Sequence, residues 1–241
     1  MSRPNVDLKF GCDIKAMKKM QVNQFDWGIV DPEWGRKQHG GVKRAKWVTQ
    51  KNGSKFYVSG GNQYDKKDWD NAPAQKEYFD QLFRVTRKQI IWGCNYYDYK
   101  FGSGRIIWDK CNEGSDQSDC EIAYVSTTSR VDLFRYMWRG MMQGKSAVDS
   151  HMLQGNKMLN EQRIHPTQKP VILYKWLLDK YVRYGETVLD THLGSGSIAI
   201  ACLDRGIYLE AYEIDRGHYD DANKRVSDYK VQLPIDFNQT K

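Results

Sequence analysis

An acid, a proline and an aromatic ring follow directly on a short apolar run, Trp27-Gly28-Ile29-Val30, in the order Asp31-Pro32-Glu33-Trp34. An apolar run of that length predicts a strand. Proline cannot pair in a central ladder, so Pro32 ends the strand and leaves its own carbonyl unpaired. Asp31, the Pro32 carbonyl and Trp34 then stand at the carboxyl edge of a sheet, where open α/β folds bind their ligands. The carboxylate and the carbonyl can each accept an N–H bond while the indole stacks, a set suited to a planar substrate bearing an amine. The same residues also make an ordinary Asp-Pro turn with a tryptophan packed on the core edge.

A second set lies in the last third of the chain. Thr187-Val188-Leu189-Asp190 reads as a strand, 191–197 as a glycine-containing turn, 198–204 as a helix stopped by Gly206, and 207–212 as a strand ending on Glu213. A final helix is expected over 216–229. Gly194 and Gly196 let the backbone approach a ligand at a helix N-terminus, and Glu213 can accept bonds from two ribose hydroxyls. That is a nucleoside-cofactor site. Gly194, Gly196 and Ala199, with Glu213 nineteen positions after Gly194, also fit the dinucleotide fingerprint, so a nicotinamide dehydrogenase is an alternative. A tight βα turn without any ligand is another. No Gly-Lys-Ser/Thr is present to hold phosphates in the manner of a kinase or ATPase.

The elements that must position these sets belong to an α/β pattern. Residues 13–20 read as a short helix before the Asp31 strand, 74–88 as a helix with Tyr78, Phe79, Leu82, Phe83 and Val85 at helical spacing, and 89–92 as the strand after it. Residues 105–109 and 121–126 look like two more strands, neighbours at a sheet edge. From 130 to 163 the periodicity breaks into Met, Gly, Arg and Trp, which suggests an inserted recognition element. His165-Pro166-Thr167-Gln168-Lys169-Pro170 then leads into an amphipathic helix with Leu173, Trp176, Leu177 and Tyr181 on one face.

Composition narrows the function classes. A chain of 241 residues with 40% hydrophobic content suffices for one large α/β domain. No apolar run approaches the ~20 residues needed to span a bilayer, and the N-terminus lacks a signal-peptide core, so a cytoplasmic protein is expected. The five cysteines show no close metal-type pair and read as reduced thiols, and no metal site is expected. The five histidines, His165 and His192 among them, have no Ser or Cys partner at a recognisable spacing and read as structural.

Net charge is +7, and its location matters more than its size. Between Arg36 and Lys67 nine basic residues face one acid, Asp65, with Trp47, Phe56, Tyr57 and Tyr64 interleaved. Such a loop can follow phosphates and stack on bases, and Lys43, Arg44, Lys46 and Trp47 are its candidate DNA contacts. A solvated lysine-rich loop has the same composition.

Taken together, these motifs resemble the β group of DNA amino-methyltransferases, especially small adenine-N6 enzymes of phages and bacteria. Asp31-Pro32-Glu33-Trp34 resembles that family's catalytic Asp-Pro-Pro-Tyr/Trp element, and 165–170 matches its cofactor-proximal motif without a change. Leu189-Asp190-Thr191-His192-Leu193-Gly194-Ser195-Gly196-Ser197 resembles its glycine loop, and Ile90-Ile91-Trp92-Gly93-Cys94-Asn95-Tyr96 and Ile107-Trp108-Asp109-Lys110 resemble further segments of phage members. The likeness runs over nearly the whole chain, in the family's order. Glu33 stands where a second proline is usual, and Thr191-His192-Leu193 replaces the common Pro-Phe.

The resemblance implies a Rossmann-like, S-adenosylmethionine-dependent methyltransferase fold. Its sheet would be mostly parallel with an antiparallel edge strand, and its motif order circularly permuted. It implies one domain over 1–241, with a basic DNA-binding loop at 36–67 and a target-recognition insertion at 130–163. Asp31, Pro32 and Trp34 would be catalytic. Asp190, Gly194, Ser195 and Gly196 would surround the methionine part of the cofactor, with Thr167, Gln168 or Lys169 at its carboxylate, Glu213 on the ribose and Asp13 accepting from the adenine amine. The partner would be double-stranded DNA with its target base flipped out, in a bacterial cell or phage-infected host, with or without a paired restriction enzyme; a homodimer is compatible with the family. The expected product is N6-methyladenine, since an aspartate in this motif accompanies adenine enzymes more often than cytosine-N4 enzymes, which are the nearest alternative. A non-catalytic DNA-binding protein would explain the charge but leaves the cofactor pocket without a use.

Overall fold

Short β-branched and aromatic runs alternate with amphipathic helices along this chain, and in the computed structural model they build one sheet with helices packed against it. The structure describes residues 6–36, 46–49, 53–58, 72–113, 118–139, 142–144, 160–165 and 167–232. The Asp31 strand is β2 (Phe25–Val30), preceded by β1 (Val6–Phe10) and a single helical turn, α1 (Asp13–Met17). A hairpin, β3 (Lys46–Thr49) with β4 (Lys55–Val58), lies in the basic loop. Helix α2 (Lys76–Val85) and β5 (Thr86–Trp92) follow, then β6 (Arg105–Asp109), β7 (Cys120–Val125) and β8 (Val131–Arg135). A second hairpin, β9 (Met137–Arg139) with β10 (Met142–Gly144), precedes α3 (Val171–Tyr181). The last third is β11 (Thr187–Asp190), α4 (Ser197–Arg205), β12 (Tyr208–Glu213) and α5 (Arg216–Gln232).

The strands form one eight-stranded sheet in the order β1-β12-β11-β2-β5-β7-β6-β8. Pairing is parallel throughout except at β7, which is antiparallel to both β5 and β6. The resemblance implied a mostly parallel sheet, as found, with its antiparallel strand at the edge. The structure corrects that placement, because β8 adds outside β6, parallel to it, and takes the edge. β8 falls inside 130–163, where no steady period was legible. Its burial does alternate, with Asp132 and Phe134 inward and Val131, Leu133 and Arg135 exposed. Five residues with an acid on the buried face give too short and too polar a pattern to count as a strand. The first strand, Val6–Phe10, was also missed, since only a helix over 13–20 was expected before the Asp31 strand.

β11 and β2 are neighbours, yet the chain leaves them in opposite directions. From β11 it passes through α4 to β12 on one side, and from β2 through α2 to β5 on the other. The crevice of a doubly wound sheet opens at such a reversal, beyond the carboxyl ends of the strands. Trp27, Ile29, Ile90, Trp92, Val188 and Leu189 are buried beneath it. Helix α2 packs Leu82 against β2, closely enough that a Cβ on Gly28 would lie 2.9 Å from a Leu82 methyl. Among the described residues no helix is long and apolar enough to cross a membrane.

Candidate active site

A cleft opens at this reversal, at the carboxyl edge of the sheet. Its lining joins the two chemistry-bearing sets. Asp31 and Glu33 come from the end of β2, Thr191 to Ser195 from the turn after β11, Glu213 from the end of β12, Asp13 from α1, and Thr167, Gln168 and Lys169 from the segment before α3. Residues 160 positions apart thus share one cavity, because parallel strands bring their carboxyl ends to one edge.

On the β2 side, Asp31 Oδ2 is ion-paired with the Lys169 ammonium, and Asp31 Oδ1 is buried and accepts no hydrogen bond among the described residues. Lys169 is itself almost wholly inaccessible, 3.1 Å from Glu121 Oε2 and 5.0 Å from the centre of the Trp34 ring. Glu121 is ion-paired in turn with Lys110. Burial pushes the Asp31 carboxyl above its usual range, and the Glu121 charge adds to this while Lys169 opposes it. Burial works against the charge on Lys169, but Asp31 and Glu121 outweigh it and raise its pKa, so Lys169 stays a cation. For Glu121, the two lysines overcome burial and hold the carboxyl below its usual range.

The Pro32 carbonyl accepts a hydrogen bond of 2.9 Å from the Tyr97 hydroxyl, which leaves one lone pair. Trp34 is stacked on Tyr96, with centroids 5.0 Å apart and planes 20° apart. Gly93 makes room for it. A Cβ there would sit 2.2 Å from Trp34 Nε1, and the backbone has φ +70°, which glycine adopts without strain.

On the β11 side, the Gly194 N–H donates to Glu213 Oε2 (2.9 Å) and the Asp215 N–H to Oε1 (2.9 Å), so the carboxylate is fixed with a lone pair left on each oxygen. Asp190 Oδ1 accepts the His192 N–H at 2.9 Å. Burial lifts the Asp190 carboxyl to about 7, helped by the charges of Asp31 and Glu213. Gly196, at φ +74°, turns the chain into α4, where a Cβ would press within 3.2 Å of Val226.

The structure brings most of the expected residues together, and gives several of them partners that spacing could not reveal. Lys169 was placed at a cofactor carboxylate, but its ammonium is turned to Asp31 and Glu121. Gln168 uses its side chain on the Ile164 N–H and on Glu161. Thr167 bonds His165 Nδ1 through its hydroxyl, at 3.2 Å. Pro32, Trp34, Asp190 and Gly196 stand next to lining residues in the chain without lining the cavity themselves. Lys43 and Arg44 fall outside the described residues. Lys46 and Trp47 begin β3, in the hairpin with β4.

The histidines taken as structural include three that line the cleft, His165, His192 and His218. For His192 the signal was its place inside the glycine loop. For His218 and Glu121, lone polar residues in a helix and a strand, no local signal existed.

Comparison with known proteins gives the following. Residues 132–224 match the family model N6_N4_Mtase, described as DNA methylase. No curated protein matches the chain. Among solved structures, the M1.HpyAVI complex with SAM superposes with a TM-score of 0.50 at 14% identity, covering 92% of this chain and 100% of that one. The cytosine-N4-specific PvuII DNA methyltransferase gives a TM-score of 0.49 at 10% identity, covering 94% of this chain and 92% of that one. The first of these likenesses establishes a Rossmann-like fold and, at such identity, nothing finer.

Proposed function

We propose, from the match of residues 132–224 to the N6_N4_Mtase family model, that the chain is a DNA methyltransferase that transfers a methyl group from S-adenosylmethionine to the N6 amine of adenine in DNA. The observation that carries this reading is the unpaired, buried Asp31 Oδ1 in the same cleft as the Gly194–Gly196 turn and Glu213.

The residues fit the cofactor. Asp190, Gly194, Ser195 and Gly196 would hold its methionine part, the two spare Glu213 lone pairs suit a ribose diol, and Asp13 would accept from the adenine amine. Thr167 and Gln168 would stand near its carboxylate, with Lys169 directed instead to Asp31. When bound, S-adenosylmethionine supplies an electrophilic methyl group on a sulfonium.

The protein's part is to bring up the nucleophile. An adenine amine inside a duplex is stacked and paired, so the base must be flipped out at a cost of a few kcal/mol. Asp31 Oδ1 accepts one amine N–H and the free lone pair of the Pro32 carbonyl the other. That concentrates the nitrogen lone pair on the side away from the acceptors. Lys169 keeps the carboxylate from turning, and Trp34 supplies a ring against which the purine plane can be set. On transfer the methyl C–S bond would break to leave a neutral thioether, and the amine nitrogen that receives the methyl would become cationic and shed one proton. Asp31 is suited to take it, because burial has already raised its affinity for a proton.

In this reading residues 1–241 make one methyltransferase domain, with 36–67 following phosphates and 130–163, apart from β8, contributing to target recognition. The Asp31 motif and the larger stacking surface of a purine favour adenine over cytosine. Methylation of mixed-sequence DNA with labelled cofactor, followed by nucleoside mass spectrometry, is expected to give N6-methyladenine. N4-methylcytosine as the main product would reverse the choice of base and leave the family intact.

Replacing Lys43, Arg44 and Lys46 with Ala is expected to weaken binding to every DNA sequence alike. Each lost phosphate contact should reduce the slope of log K against log salt by about 0.9. An unchanged slope would assign these charges to a solvated surface.

A further inference from the structure

β2 and β11 are joined at Val188↔Trp27 and Leu189↔Gly28, and their registered ladder stops there, short of Val30 and Asp190 at the two strand ends. Below the ladder the strands are stapled by side chains. The Asp26 N–H donates to Thr187 Oγ1 at 3.1 Å, and the Thr187 N–H to Asp26 Oδ2 at 2.9 Å. Above it lies an ion cluster in which Asp13 alone has a role in the functional reading so far. His192 Nε2 is 3.3 Å from Glu33 Oε2 and 3.6 Å from Asp13 Oδ2.

The other side of the imidazole is held as well. Nδ1 is 3.0 Å from Thr191 Oγ1, which is 2.6 Å from the Tyr78 hydroxyl on α2, and the Tyr78 ring meets the imidazole edge-on at 5.3 Å. Glu33 is anchored through its backbone, for its carbonyl accepts the Ala74 N–H at 3.0 Å. Its carboxylate reaches the glycine loop at His192.

We propose that His192, bridged to Glu33, is a positioning clamp that fixes the Asp31 end of the cleft against the glycine-loop end and so sets the distance across which the methyl group passes. The inference rests on the methyltransferase reading above. Glu33 and Thr191-His192-Leu193 are the two places where the chain departs from the resembling family's Asp-Pro-Pro and Pro-Phe pattern, and Glu33 and His192 meet each other in space. The bridge is ionic. Burial opposes a charge on His192, but Glu33, Asp13 and Asp190 outweigh it and raise its pKa to about 10, while His192 in turn holds Glu33 below the usual carboxylate range against its own burial. A link between two loop ends that touches neither reacting group should act on alignment, and an error of about 1 Å in alignment can cost about 100-fold in rate.

The test compares Glu33→Gln, His192→Gln and the double variant in steady-state methyl transfer, with thermal melting to confirm folding. Each single variant is expected to lower kcat by about 10- to 100-fold, with KM for S-adenosylmethionine and for DNA within about 3-fold of wild type. The double variant should be no slower than the worse single one, since the same link is already broken. Losses that multiply, or a raised KM with kcat kept, would overturn the clamp.

A wild-type protein that transfers no methyl group would instead overturn the reading of function. The clamp is then judged in the ligand-free protein from the nitrogen NMR signals of the His192 imidazole. These should show it protonated well above pH 6.5 in the wild type and titrating lower in Glu33→Gln. Signals indifferent to Glu33→Gln would remove the bridge and the proposal with it.

Discussion

Asp31→Ala is expected to lower methyl transfer by about 10³-fold while S-adenosylmethionine binding, followed by calorimetry, stays within about 3-fold of wild type. Removing one preorganised hydrogen-bonding partner of a reacting group commonly costs about 10²–10³ in kcat. Asp31 supplies two functions at once, the acceptor for the amine N–H and the base for the departing proton, so the loss should reach the upper end. The cofactor pocket is built from other residues. Glu213 is fixed by the N–H groups of Gly194 and Asp215, and Asp190 by that of His192, none of which depends on Asp31. A parallel loss of cofactor affinity would place Asp31 in the cofactor's half of the cleft.

Lys169→Met should have the largest effect on stability of any single change in the site. Lys169 is the shared cation of two buried carboxylates, Asp31 and Glu121, and Glu121 keeps only Lys110 when it is gone. Breaking a buried ion pair by removing one partner costs about 3–5 kcal/mol. For a chain of this size that is a fall in Tm of about 6–20 °C, at about 2–4 °C per kcal/mol.

The sign of the pH dependence follows from the direction of the shifts. Glu121 is held below its ordinary 4.5, so what its ionisation contributes is present above that value and is lost as pH falls through the lowered one. Lys169 is held above its ordinary 10.5, so its contribution is present below that value and is lost as pH rises through the raised one. The Tm difference between wild type and Lys169→Met should therefore be widest below about pH 10.5 and above the titration of both carboxylates, Asp31 being the first to be neutralised as pH falls because its pKa is raised, and should narrow in acid. A difference that grows in acid would mean that Lys169 is not the counter-ion of these groups. Methyl transfer should fall as well, because an unpaired buried Asp31 holds its proton and cannot accept the amine.

Much of this molecule was legible from local patterns. A strand ending on Asp31-Pro32, a strand–turn–helix with glycines at 194 and 196, and an acid ending the next strand were each readable, because period, chain-breaking residues and turn residues act over a few positions. Their order along the chain also carried the resemblance to a family. β8 was not legible, since a five-residue edge strand with Asp132 on its inner face has little periodicity to show, and it became a strand only because β6 offered an open edge.

The site was divided in the same way. Local sequence marked Asp31, Asp190, Gly194, Gly196 and Glu213 as residues at strand ends and turns. It could not say that Lys169, 138 positions from Asp31, turns its ammonium to that carboxylate rather than to the cofactor, or that Glu121 completes the pair. Nor could it say that Glu33 and His192, each a departure from the pattern of its own motif, face one another. Burial and charge pairing decide these matters, and both depend on which strands stand side by side. A charge placed in the interior must find its counter-charge wherever the sheet brings one, and that choice belongs to the tertiary structure.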